Sequence, residues 1–197
     1  MPEIPISHAL LYSGPLQPPQ TNMLRNQLGF LNQPSQPQQG ITHLPATRVL
    51  LVFSCFGGAT HEMRGLYDLF RSLSFPIDIH VVGIAKSAAI PFILASDRRT
   101  AAPDSTFFFH PWTWGIDASP GHILPVLEQP QIQLQDDINW GKKVLIARTK
   151  LTASDIDKLQ LFERGVTMDA ATALKYGIVH EVADLKIPCG IMTWNIA

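Results

Sequence analysis

"RVLLVFSCFGGATHEMRGLYDLFRSLSFPIDIHVVGIAKSAA", Arg48 to Ala89, decides the fold class. "RVLLVFS" is a continuous apolar run of the length expected for a strand buried on both faces, and "CFGG" stops it. "THEMRGLYDLFRSL" then sets Met63, Leu66, Tyr67 and Phe70 on one helical face. "PIDIHVVGIA" is a second buried strand. Strand, helix and strand in succession make a βαβ unit, for which a right-handed crossover and an α/β fold are expected.

Upstream, "ISHALLYSG" reads as a short strand ending at Gly14. "PPQTNMLRNQLGFLNQ" carries Met23, Leu24, Leu28 and Leu31 at helical spacing. Residues 32–47 are rich in Gln and Pro without periodicity, an inserted loop with no identifiable chemistry. Downstream, "SAAIPFILAS" is a short buried helix and "RTAAPDSTFFFHP" holds one or two strands. Residues 116–150 form a protruding, handle-like helical segment ending in "LQDDINWGKKVLIARTKL". Pro120, Pro125 and Pro130 are expected to interrupt its early part, since an interior proline loses a hydrogen bond and clashes with the preceding turn, at about 3 kcal/mol. "SDIDKLQLF" and "DAATALKY" are short helices, "GIVHEVADL" is a last strand, and residues 185–197 are a C-terminal tail. Neither a repeat nor a composition shift divides the chain, so residues 1–197 are expected to be one domain.

The 197 residues carry a formal net charge of -1 with 46% hydrophobic content. No concentrated positive field is available for nucleic acid or a membrane surface. Cys55 and Cys189 are too few for a disulfide framework or a Cys-based zinc site, and the N-terminus lacks a basic region followed by a sustained apolar run. A cytoplasmic protein is expected. The histidines show no metal-ligand spacing, so neither a metal nor another cofactor is expected.

Ser87 falls where the second strand stops and an apolar helix starts. Its hydroxyl can cap that helix, with Pro91 tolerated in the first turn, or it can be a nucleophile. A nucleophile needs a base and donors for an oxyanion. His110 lies 23 residues on, after three phenylalanines, where it can serve as base or simply pack. Gly57 and Gly58 end the preceding strand, Gly58 29 residues before Ser87, and glycine there lets backbone N–H groups approach a ligand. Ala88, at a helix start, offers a further free N–H.

These segments in this order, with "DSTFFFHPWTWG" and "DAATALKYGIVHEV" following, resemble the Clp protease proteolytic subunits, within the Clp protease and crotonase superfamily. The residues that carry the resemblance are Gly57 and Gly58, Tyr67 and Asp68, Gly83, Ser87, His110 with Pro111, and Ala170, Ala173, Tyr176, Gly177 and Ile178. It runs from about Ile6 to about Asp184. It implies a spiral of repeated ββα and βαβ units and a serine peptidase, with Ser87 as nucleophile, His110 as base, and the N–H groups of Gly58 and Ala88 as oxyanion hole. It also implies a peptide or unfolded-protein substrate, a homo-oligomer, and an ATP-dependent unfoldase or a Clp-type paralogue as partner.

Three features depart from the family pattern. The triad aspartate's place is taken by Gly165; Glu163 and Asp169 are the nearest acidic residues, and a backbone carbonyl or water on the imidazole is the other way to orient His110. The prolines from Pro120 to Pro130 are expected to shorten the helix through which rings meet. Trp112 and Trp114 follow His110 and, with Gly57, are candidates to line the substrate, or they cap the core. Lys86 is a strand-end charge or a Ser-Lys partner, and Cys55 a small buried apolar residue. Two rival functions stand beside the peptidase: a crotonase-like acyl-CoA enzyme, suggested by "VVGIAKSAAIPFILASDRRTAAPDSTF", and a catalytically impaired structural or regulatory subunit.

Overall fold

The computed structural model describes residues 4–33, 37–38, 41–42, 46–113 and 124–196. Along the chain run β1 (His8–Ser13), α1 (Gln20–Leu31), β2 (Pro37–Gln38), β3 (Ile41–Thr42), β4 (Val49–Cys55), α2 (Thr60–Ser72), β5 (Ile77–Lys86), α3 (Ala89–Ile93), β6 (Arg98–Ala101), β7 (Thr106–Phe109), α4 (Leu124–Arg148), α5 (Ala153–Leu159), β8 (Val166–Asp169), α6 (Ala170–Lys175), β9 (Glu181–Val182) and β10 (Met192–Ile196). The main sheet is parallel in the order β10-β1-β4-β5-β6-β9, with β7 parallel to β5 and β8 antiparallel to β7. Strands alternating with helices therefore build a mixed α/β fold, as the opening βαβ unit predicts.

The continuous apolar run of β4 has two destinations. Val49, Leu51, Phe53 and Cys55 enter the main core with Leu24, Leu28, Met63, Leu66 and Phe92 from the helices. Leu50 and Val52 point the other way and form a small cluster with Ala9. Burial of each such Val, Leu or Phe contributes roughly 1.5–3 kcal/mol, which makes β4 the centre of the fold. In α2 Met63, Leu66 and Phe70 are buried, while Tyr67 is only partly so and meets Trp140 edge-on with ring centroids 5.2 Å apart. In α1 the buried face is Thr21, Leu24, Leu28 and Leu31, and Met23 faces outward because it lies one position off that stripe.

Three sequence expectations are revised. The helix α4 runs on through Pro125 and Pro130. Pro125 is its second residue, where no intrahelical N–H is needed, and Pro130 removes a single bond from a 25-residue helix whose cooperative ladder continues on either side. The Gln- and Pro-rich insert contains a two-residue antiparallel ladder, Pro37–Gln38 on Ile41–Thr42. The C-terminal tail carries a strand, β10, which pairs in parallel with β1 and occupies that sheet edge. Pro120 lies outside the described residues.

Arg99 joins the helical elements behind the sheet. It is 1% exposed and donates to the carbonyls of Ser96 (2.6 Å), Ile178 (2.7 Å), Arg148 (2.8 Å) and Gly177 (3.1 Å). Burial, and then the Arg148 charge, lower its pKa to about 10, so the guanidinium stays charged at neutral pH. It thereby ties the chain after α3 to the end of α4 and to the turn before β9. Among the described residues no helix is long and apolar enough to cross a membrane.

Candidate active site

β5 carries the site because it changes partner midway. Its first half pairs with β6 through Val81, its second half with β7 from Ile84, and its register on β4 shifts between Phe53↔Val81 and Cys55↔Ala85. The irregularity sits at Gly83, whose φ of 70° no branched residue would hold cheaply. Beyond this bend β5 and β7 run side by side, with Lys86 opposite Phe108, and the Ser87 N–H donates to the Phe108 carbonyl at 2.8 Å. Parallel strands ending together bring His110, the residue after β7, beside Ser87.

Ser87 is not the cap of the following helix. Its φ is 56°, in the left-handed region that a capping serine does not adopt; the cap position falls on Ala88, at φ -57° and ψ -20°, and no side chain caps that end. A non-glycine residue in this region bears about 1–2 kcal/mol of strain, which the surrounding structure must hold. Ser87 Oγ makes no hydrogen bond among the described residues. It faces a tight apolar recess lined by Pro91, Phe109, His110, Trp112, Leu161 and Phe162, with no space for a water molecule.

The His110 ring is fixed by its own neighbour. Its Nδ1 lies 2.7 Å from the Pro111 carbonyl, which can only accept, so Nδ1 carries the proton and the Nε2 lone pair is left open. Phe108 stacks on the imidazole at 5.8 Å between centroids and 22° between planes. Lys86 places its ammonium 5.0 Å above the same Phe108 ring, so it engages that ring rather than the serine hydroxyl.

The glycine turn abuts Ser87 directly. A Cβ on Gly57, whose φ is 93°, would stand 2.8 Å from both the Lys86 carbonyl oxygen and the Ser87 Cβ, so only glycine lets the two chain ends approach this closely. A Cβ on Gly58 would overlap the Leu16 backbone. Leu16 pins the turn from the far side, its N–H donating to the Gly57 carbonyl at 2.7 Å and its carbonyl accepting from Ala59 at 3.0 Å. The N–H groups of Gly58 and Ala88 have no acceptor among the described residues. Two free donors thus flank one unbonded hydroxyl, with a histidine of defined tautomer beside it.

Other sequence candidates fall elsewhere. Glu163 is exposed, its carboxylate accepting from Gln160 Nε2 at 3.4 Å, and among the described residues it makes no hydrogen bond or ion pair with His110. Asp169 caps α6 by accepting from the Thr172 N–H at 2.7 Å and pairs across the ladder with Thr106, at the opposite end of β7 from His110. Side-chain hydrogen bonding with Thr172, and then the Thr172 N–H, hold the Asp169 carboxyl below the usual carboxylate range. Gly165 backs onto Phe108, where an added Cβ would meet the ring at 3.2 Å. Trp112 is buried, edge-on to Phe162 at 5.3 Å, and closes the recess as well as packing the core. Trp114 lies outside the described residues. Cys55 is buried and its thiol pushed up to about 11 by that burial, in keeping with a packing role. Sequence reasoning did not single out Leu16 or Phe108, which hold the turn and the imidazole, because neither carries a polar signal.

The family model for Clp protease matches residues 11–186. The ATP-dependent Clp protease proteolytic subunit of Deinococcus radiodurans is 26% identical over 144 residues, which cover 71% of this chain and 67% of that one. A solved structure of a ClpP1 mutant from Listeria monocytogenes shares the fold with a TM-score of 0.73 at 16% identity, over 91% of this chain and 92% of the other.

Proposed function

Because the chain belongs to the Clp protease family, we propose that it is a serine peptidase that hydrolyses peptide bonds with Ser87 as nucleophile and His110 as base. His110 Nε2 takes the hydroxyl proton as Ser87 Oγ bonds to the scissile carbonyl carbon. The negative charge that develops on the carbonyl oxygen is received by the N–H groups of Gly58 and Ala88. His110 then returns the proton to the departing amine, leaving an acyl ester on Ser87. Water, giving its proton to His110, attacks that ester, and His110 passes the proton to the departing Ser87 Oγ, which frees the acid product and restores the hydroxyl.

The observation that carries this reading is the conformation of Ser87. A positive φ that serves no cap, beside a glycine turn with an unused N–H, has a purpose if the hydroxyl is to be presented to a substrate. The Pro111 carbonyl supplies the orienting half of the missing aspartate's role: it selects the tautomer, although as a neutral dipole it stabilises the imidazolium less than a carboxylate does. Slower turnover than a full triad gives is the consequence. The family match favours this reading over an acyl-CoA enzyme.

The substrate is a peptide or an unfolded protein, confined in a homo-oligomer and delivered by an ATP-dependent unfoldase or a Clp-type paralogue. A second reading, an impaired structural or regulatory subunit, is favoured by one observation: the recess beside Ser87 is closed by Trp112 and Phe162. Turnover of a fluorogenic peptide by the purified oligomer separates the two. Activity that disappears in Ser87→Ala supports the peptidase; an inert folded oligomer that raises the activity of a co-assembled paralogue supports the subunit.

A further inference from the structure

Asp137 is among the most deeply buried carboxylates of the described residues, at 2% exposure. It stands on α4 and accepts from Thr60 Oγ1 at 2.5 Å, from Arg64 Nη1 at 2.9 Å and from Gln133 Nε2 at 3.3 Å. Thr60 is the first residue of α2 and Arg64 lies one turn further along. Arg64 also covers the Trp140 ring, at 5.5 Å from its centroid, so one face of α4 grips the first turn of α2.

Taking a carboxylate out of water is unfavourable by several kcal/mol unless donors replace the lost hydration, so its position in the fold calls for a reason. The reason lies in what Thr60 follows. Gly57, Gly58 and Ala59 precede it directly; both glycines have positive φ, and the N-cap Ala59 has no side-chain cap bond. A turn of this composition is soft in itself. Leu16 fixes its outer edge through two backbone bonds, and the Asp137 to Thr60 bond fixes the point where it enters the helix. The buried charge also faces the N-terminal end of α2, which favours an anion and stands in for the absent cap.

We propose that Asp137 is a positioning residue for the Gly58 N–H, acting through Thr60. It touches no reacting atom. The clamp on the turn is a property of the folded chain, whereas its effect on turnover rests on the peptidase reading above. The two are therefore read separately, in Thr60→Val, which keeps the shape and removes the hydroxyl, in Thr60→Ser, which restores it, and in Asp137→Asn.

Amide hydrogen exchange, followed by mass spectrometry on the peptide that spans Gly57 to Thr60, reads the clamp whether or not the protein is active. Exchange there rises at least several-fold in Thr60→Val and Asp137→Asn, returns to the wild-type rate in Thr60→Ser, and is unchanged in β4. On a fluorogenic peptide, misplacing one oxyanion donor lowers kcat about tenfold with KM within about twofold, and Thr60→Ser recovers it. Wild-type exchange at Gly57 to Thr60 in both folded variants overturns the clamp, and altered exchange with unaltered kcat overturns the positioning role. A wild-type protein without turnover counts against the peptidase reading, and the exchange result then decides the clamp alone.

Discussion

The Pro111 carbonyl sits 2.7 Å from Nδ1 of His110, so the backbone of the next residue occupies the nitrogen that a triad carboxylate would use. Gly165, which our reading sets at the place of the triad aspartate, backs onto the Phe108 ring, and that ring stacks on the imidazole. A carboxylate introduced at 165 meets Phe108 before it meets Nδ1. Gly165→Asp is therefore expected to change kcat/KM by less than about threefold and to destabilise by about 1–3 kcal/mol through crowding of Phe108. Steady-state kinetics and urea unfolding check both halves; a gain of a hundredfold would show that Nδ1 is open to a carboxylate.

Gly57→Ala tests the close approach of the two chain ends. The new methyl would lie 2.8 Å from the Lys86 carbonyl oxygen and from the Ser87 Cβ, on a residue with φ of 93°. Relief requires the turn to move away from Ser87, carrying the Gly58 N–H with it. A loss of about 10²-fold in kcat is expected, the size seen when one oxyanion donor is removed. Stability falls as well, by about 1–3 kcal/mol.

Arg99 holds four carbonyls by one planar group, and Arg99→Met leaves those of Ile178, Arg148 and Gly177 without this donor in the interior and Ser96 with the Arg148 Nη2 bond alone. The expected loss is about 3–5 kcal/mol in urea unfolding, since buried acceptors without donors are penalised individually. Arg99→Lys keeps the charge but cannot span the same set, so it recovers only part of the loss.

Acid stability is set first by histidine. His80 is 4% exposed, and burial holds its pKa below the ordinary value of 6.5, against a raising effect from Glu181. His180 is lowered as well, by burial and then by Arg99 and Arg148, with less weight because it is exposed. The unfolded chain therefore binds more protons than the folded one below about pH 6.5, so stability is full above that point and declines as pH falls toward 5. Urea midpoints measured from pH 7.5 to 5 trace the decline. His80→Gln, which keeps a hydrogen-bonding group beside Thr100, flattens it.

Much of this architecture is legible in the sequence because it rests on local patterns. The apolar run of β4, the face of α2 and the glycine turn are each carried by neighbouring residues, and the family resemblance implies that Gly58, Ser87 and His110 come together. What sequence does not display is the partner exchange of β5 at Gly83 or the left-handed backbone of Ser87, since both follow from how three strands pair. The Asp137 to Thr60 contact joins residues 77 apart and has no periodic signature. α4 passes Pro130 because a long helix tolerates one missing bond, a balance that propensity at a single position misjudges.

The central claim is that Ser87 is a nucleophile and not a helix cap. Intact-mass measurement of the purified protein after exposure to a fluorophosphonate tests it most directly. The account predicts one adduct per chain, on the peptide containing Ser87, absent in Ser87→Ala and formed at least about 10²-fold more slowly in His110→Ala. A folded wild-type protein that takes up no adduct, or an adduct that persists in Ser87→Ala, would contradict it.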